Sequence, residues 1–246
     1  MTNRYAVQLY SVRELANQNY AGTVEKIAAM GYAGVETAGF PGTTAGEARK
    51  LFDSLGLSVV GAHSPAPYGE KKNEVIDTMA ALGCNVLIIP AIRYDDLKTV
   101  DLIKKSCDML NESYQTCKTH GLKMGYHNHW WEMEIVGGKR IYQWLKELLE
   151  PSIFFELDTY WIKVGGVDPL AIIRELGGRA PYLHIKDGPG VRELPMVAIG
   201  TGVMNFPAIL TESKPFMEWG IVEFDRCATD ILAELDRSIK YLRSLA

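Results

Sequence analysis

Phe155-Glu156-Leu157-Asp158-Thr159-Tyr160-Trp161 and, a short helix later, Tyr182-Leu183-His184-Ile185-Lys186-Asp187 decide how this chain is read. Each is a run of β-formers that switches at its end to a side chain able to bind a metal ion. Gly220-Ile221-Val222-Glu223-Phe224-Asp225 repeats the switch with a carboxylate. A charge at the inner end of a buried strand is costly unless it is paired or bound to a cation. Asp158 alone could be a helix cap or an ion-pair partner, and His184 alone a satisfied core histidine. The same switch on three successive strands points instead to one shared cation. Glu132, just past a strand at 122–127, adds a further carboxylate. These residues imply a divalent-metal site at the mouth of a (β/α)8 barrel.

The remainder of the chain fits that frame. Strands are expected at 5–9, 33–36, 57–62, 85–89, 122–127, 153–158, 182–185 and 220–224, the continuous apolar ones suiting a parallel sheet buried on both faces. Helices are expected between them. One over 95–120 carries Ile103, Cys107, Leu110, Tyr114 and Cys117 as a single apolar stripe, and a terminal helix carries Ile231, Leu235, Ile239 and Leu242. From Pro90 through His127, Asp158, His184 and Glu223 the strand ends fall 37, 31, 26 and 39 residues apart, the length of one βα repeat. An open doubly wound sheet would also alternate, but an eighth strand with a closing helix fits a barrel better, whose active site lies at the strands' C-terminal ends. One domain over 1–246 is expected.

Composition narrows the function classes. A net charge of -4 gives no basic patch for nucleic-acid phosphates, so no such partner is expected. No apolar run is long enough to span a bilayer, and the first ten residues lack the apolar core of a secretory signal. Cys84, Cys107, Cys117 and Cys227 form no C-x-x-C pair, which suits reduced thiols in a cytoplasmic protein. No Walker motif, no G-x-G-x-x-G after the first strand and no G-x-S-x-G elbow is present, so ATP, NAD and serine-hydrolase chemistry have no support.

Within His127-Asn128-His129-Trp130-Trp131-Glu132 three side chains compete for the role of first metal ligand, with Glu132 preferred over His127 and His129 left for the substrate. Glu132, Asp158, His184 and Glu223 would suit one Mn2+, with Mg2+, Co2+ or Zn2+ as alternatives. The phrases Val7-Gln8-Leu9-Tyr10-Ser11-Val12-Arg13, Gly125-Tyr126-His127-Asn128-His129, Glu156-Leu157-Asp158 through Trp161, Gly166-Val167-Asp168-Pro169, His184-Ile185-Lys186-Asp187 and Ile221-Val222-Glu223 resemble the xylose-isomerase-like sugar phosphate isomerase/epimerase family. That resemblance implies a single TIM barrel and a metal held by Glu, Asp, His and Glu on consecutive strands. Those roles fall on Glu132, Asp158, His184 and Glu223.

A metal bridging a sugar's carbonyl and adjacent hydroxyl would stabilise an enediolate, with Glu132 and Glu223 as the acid/base pair. Return of the proton to the same carbon gives epimerisation, to its neighbour isomerisation, and loss of a β-hydroxyl gives dehydration. The expected activity is therefore a sugar or keto-sugar isomerase or epimerase. A lyase acting on a keto-sugar, inosose or 3-keto-glycoside is the alternative.

His63, His127, His129, Trp161 and Lys186 are the candidate substrate contacts. Lys186 serves equally well as a solvated partner of Asp187, His63 as a structural hydrogen-bonding group, and Trp130, Trp131 and Trp161 as core. Glu36, ending the second strand, is a weaker candidate. An apurinic-site endonuclease on the same barrel would need more histidines than the five present, and a basic groove. A non-catalytic sugar-binding barrel is the remaining reading. By analogy with sugar isomerases, a homo-oligomer is possible.

Overall fold

In the computed structural model, residues 4–245 are described. Eight parallel strands, β1 (Tyr5–Gln8), β2 (Gly34–Thr37), β3 (Ser58–His63), β4 (Val86–Ile89), β5 (Lys123–His127), β6 (Phe154–Asp158), β7 (Tyr182–Ile185) and β8 (Trp219–Val222), close into one barrel. The order is sequential, and β8 returns to β1 with Ile221 opposite Ala6. Each strand is short, and β1, β2, β4, β7 and β8 are buried along their whole length. The reason is the layering: side chains alternate between the barrel interior and the surrounding helices, so both faces of a strand are covered.

The helices are α1 (Arg13–Gln18), α2 (Tyr20–Met30), α3 (Ala45–Ser54), α4 (Lys72–Leu82), α5 (Val100–Thr119), α6 (Ile141–Leu148), α7 (Thr159–Val164), α8 (Pro169–Leu176), α9 (Phe206–Ser213) and α10 (Ile231–Ser244). Their ends follow local chemistry. Thr44 and Glu47 form a reciprocal capping box at α3, a contact whose loss costs about 1 kcal/mol. Gly83 closes α4 in the left-handed conformation at φ 63°. In α5 the expected stripe is realised, Ile103, Cys107, Leu110 and Cys117 being buried.

The helix expected over 95–120 is interrupted. Tyr94–Leu97 is a 3-10 turn, and Thr99 starts α5 by accepting from the Leu102 N–H, a threonine's preferred use at a helix start. Two short helices, α1 and α7, were absent from the periodicity because six residues carry too little pattern. A two-stranded hairpin, Ile135–Val136 with Lys139–Arg140, turns on Gly137 and Gly138 at φ 59° and 82°.

Register sets the interior. Gln8 lies opposite Glu36, His127 opposite Glu156, and Asp158 opposite His184. Paired residues of parallel strands face the same side, so these polar groups converge within the ring. Beside them β2 slips against β3 between Val35 and Glu36. There Gly61 has no side chain to spare: a Cβ would come within 2.7 Å of Glu36 Oε1.

Candidate metal and catalytic site

Asp158 is both the last residue of β6 and the cap of α7, its Oδ1 accepting from the Trp161 N–H at 2.8 Å. One oxygen therefore orients the carboxylate, and Oδ2 faces inward at 2.9 Å from the Lys186 ammonium. Asn128 ties β5 to β6 by accepting from the Asp158 N–H at 3.0 Å. His184 is buried between carboxylates. Its Nδ1 lies 2.7 Å from Glu223 Oε2, and its Nε2 lies 2.8 Å from Glu36 Oε2 and 3.0 Å from Glu156 Oε2. His127 repeats this two-sided placement, with Nδ1 at 3.1 Å from Glu156 Oε2 and Nε2 at 3.8 Å from Asp158 Oδ2.

His127, Asp158, His184 and Glu223 form one group whose donor atoms all lie within 4.8 Å of one another, and His63, His127, Glu156 and His184 form a second. Of the side chains competing for the first-ligand role, the one lying with Asp158, His184 and Glu223 is thus His127. Glu132 is placed elsewhere. It is fully buried, Oε1 accepting from the Tyr126 hydroxyl at 2.5 Å and Oε2 from the His129 N–H at 2.7 Å. Its neighbours Tyr142, Leu145, Phe155 and Leu157 line a small apolar space between strands and helices. Burial lifts its carboxyl to about 7, against the Tyr126 and His129 donors that favour the ionised form.

Lys186 is the buried cation of the site. Its Nζ lies 2.9 Å from Asp158, 2.6 Å from Glu223 and 2.7 Å from Asp225. Burial opposes its charge, but Asp158, Asp225 and Glu223 hold its pKa well above the ordinary lysine value. Burial would likewise raise Glu223, yet Lys186 and His184 keep it below the ordinary carboxylate value. For Asp158 burial wins, and the group rises to about 6 despite Lys186 and His184. Burial would depress His63, but Glu36 and Glu156 raise it to about 10. His127 is pushed down by burial and by His184, and His129 to about 3 by burial and Lys186.

A cleft of about 360 Å³, at the small end for ligand pockets, opens above this network and is lined by Tyr10, Ala38, His63, Pro90, His127, His129, Glu223 and Asp225. Trp161 stays beneath it: the residue is 6 % exposed, and its ring lies 5.7 Å from the Lys186 ammonium. His129 stacks on Trp131 at 4.2 Å. Asp187 turns away from the cleft, its two oxygens accepting from the N–H groups of Gly188, Gly200, Gly202 and Met204. That carboxylate organises the loop after β7.

Buried Glu156 Oε1 and Glu36 Oε1 have no hydrogen-bond donor, and Asp158 Oδ2 faces the Lys186 ammonium as an ion pair without a well-formed hydrogen bond. Orphaned oxygens beside imidazoles make a donor set suited to a borderline divalent ion such as Mn2+, Co2+ or Zn2+. The residues therefore fit such an ion, although Lys186 contacts two of the same carboxylates. Sequence reading passed over Glu156 and gave little weight to Glu36. The available signal was alternation, since Glu156 sits two residues before Asp158 and shares its face.

With a closed parallel barrel and polar strand ends meeting inside it, the comparisons fall into place. Residues 24–245 match the family model described as a xylose isomerase-like TIM barrel, and the chain belongs to that family. A sugar phosphate isomerase/epimerase from Parabacteroides distasonis superposes with a TM-score of 0.84 at 23% identity, covering 99% of this chain and 94% of the other. The probable 3-DHS dehydratase AsbF of Bacillus anthracis gives 0.75 at 13% identity over 97% and 98% of the two chains. An L-ribulose 3-epimerase gives 0.67 at 17% identity over 98% and 93%. At these identities the likeness is one of fold. No curated protein matches the sequence. No helix among the described residues is long and apolar enough to cross a membrane.

Proposed function

We propose that the chain is a divalent-metal-dependent isomerase or epimerase of a sugar or keto-sugar. The observation that carries this is the convergence of Asp158, His184, Glu223 and His127 under a cleft of monosaccharide scale. A divalent ion bound there would supply Lewis-acid stabilisation of charge developing on a carbonyl oxygen. Glu223 reaches both the ion group and the cleft, and it is the carboxylate proposed to take the proton from the carbon beside that carbonyl. Lys186, anchored by three carboxylates, holds Glu223 in place and lends positive charge below the substrate. Glu132 joins as a second acid/base group only if it leaves Tyr126 and His129, which would require the segment after β5 to move.

That geometry also favours a second reading. Epimerisation needs proton transfer on both faces of a carbon, whereas one glutamate beside the cleft suits abstraction followed by loss of a β-hydroxyl on the same side. One of the structural neighbours is described as a probable 3-DHS dehydratase. A panel of keto-sugars incubated with the manganese-loaded protein in D2O separates the readings. Deuterium uptake at the α-carbon without water loss supports isomerisation or epimerisation, and a dehydrated product supports the lyase. If neither occurs, or if Glu223→Gln retains wild-type exchange, the catalytic proposal fails.

A further inference from the structure

We infer that the sugar taken by the cleft is one ring of a two-ring carbohydrate, whose second ring lies in a side pocket between the loops after β2 and β3. This rests on the reading of the cleft as a keto-sugar site, and names the class of sugar it takes.

The side pocket has a volume of about 250 Å³, beside about 360 Å³ for the cleft. His63 lines both spaces, and Thr37 and Ala38, consecutive residues at the end of β2, line one each. The His63 imidazole is thus the ridge between them. It is kept from swinging across either space, because Nε2 lies 2.8 Å from Glu156 Oε2 and 3.2 Å from Glu36 Oε2. A bond joining two rings would cross over this fixed point. Each space alone lies near the lower end of the range for ligand pockets, and the pair lies well inside it.

The walls of the side pocket have the chemistry of a sugar subsite. Lys71, Glu74, Val75, Thr78 and Met79 recur at helical spacing, so one face of α4, from its N-cap onward, is turned to the space. Val75 and Met79 are buried and, with Phe40 and Pro65, supply an apolar surface for the C–H side of a ring. Lys71 and Glu74 are exposed, and among the described residues neither enters an ion pair. A free ammonium and a free carboxylate one turn apart can bind the hydroxyls of one ring as donor and acceptor. Their charges cancel, which gives a phosphate no net attraction, and an extension without hydroxyls would leave both unused. The space on the other flank of the cleft, about 300 Å³ and bordered by Asp225, is built differently. Its arginines are already engaged, Arg13 donating to the Tyr10 and Asp225 carbonyls and Arg226 to that of Arg192.

The test is equilibrium binding to the manganese-loaded protein, by isothermal titration calorimetry, of D-fructose against disaccharides that carry fructose with its anomeric carbon unblocked: turanose, isomaltulose and lactulose. At least one disaccharide should bind about tenfold more tightly than fructose, the gain from one hydrogen bond to a charged group. Thr78→Trp fills the side pocket, and Lys71→Ala combined with Glu74→Ala strips its rim. Each variant, checked for fold by circular dichroism, should bring disaccharide and fructose to equal affinity. A wild-type protein that binds fructose, and no disaccharide more tightly, overturns the inference and leaves the reading of the cleft standing. An advantage that survives in both folded variants also overturns it, by placing the second ring elsewhere. Binding of no sugar at all overturns the reading of the cleft and this inference with it.

Discussion

Lys186→Met tests the electrostatics of the site most directly. Methionine keeps nearly the same length and removes only the charge that lies within 2.9 Å of Asp158, 2.6 Å of Glu223 and 2.7 Å of Asp225. Removing one partner of a buried ion pair costs about 3–5 kcal/mol because the other charge is left uncompensated. Two of the carboxylates here are buried, so the upper half of that range is expected in EDTA. For a protein of this size each kcal/mol moves Tm by about 2–4 °C, giving a fall of roughly 8–20 °C. Manganese should narrow the gap. An ion binding only the folded state adds about 2.7 kcal/mol at a hundred times its Kd, and the variant binds it without a competing ammonium. Thermal and urea unfolding in EDTA and in manganese measure both effects. A cost below about 1 kcal/mol in EDTA, or one that manganese leaves unchanged, refutes the role of Lys186 as the network's balancing cation.

Three further outcomes are expected. Glu132 stands at about 7 when folded against an ordinary 4.5, so the folded state takes up a proton that the unfolded chain has released. Its contribution to stability falls as pH rises from about 4.5 through 7, by ~3 kcal/mol in all. Glu132→Gln should remove that slope, and urea midpoints at pH 5 and pH 8 that shift in parallel with wild type would contradict it. Tyr126→Phe takes the hydroxyl from buried Glu132 Oε1 and should cost about 1–3 kcal/mol in urea unfolding, with little change in metal content. Asp187→Asn replaces one of two oxygens that together accept from four N–H groups. Charge-assisted bonds are about twice as strong as neutral ones, so a loss of about 2–4 kcal/mol is expected, with faster proteolytic cleavage in the loop spanning 188–204.

The barrel was legible because several of its strands are buried on both faces and so appear as largely apolar runs, and from β5 onward their ends turn polar at nearly one repeat's spacing. Asp158, His184 and Glu223 could be grouped from that alone. What lies between strand ends was harder to read. His127 ends β5 and Glu132 follows it closely, but pleat alternation points His127 inward, whereas Glu132 sits on a 3-10 turn whose direction depends on packing against Tyr126 and Tyr142. Glu36 and Glu156 carried a period-two signal, yet a glutamate in a strand has many ordinary uses. Their role emerges only when His63 and His184, distant in sequence, arrive beside them.

The contact between position 61 and Glu36 has a consequence for how this barrel can diverge. The carboxylate fills the volume that any methyl or larger group on the neighbouring strand would claim. The two positions are therefore coupled in one direction: a relative that acquires alanine or serine at 61 must shorten or redirect residue 36, and with it surrender the support behind His184. Descendants that gain a side chain at 61 should carry a shorter or redirected residue at 36, whereas a shortened residue 36 meets no obstacle from glycine at 61.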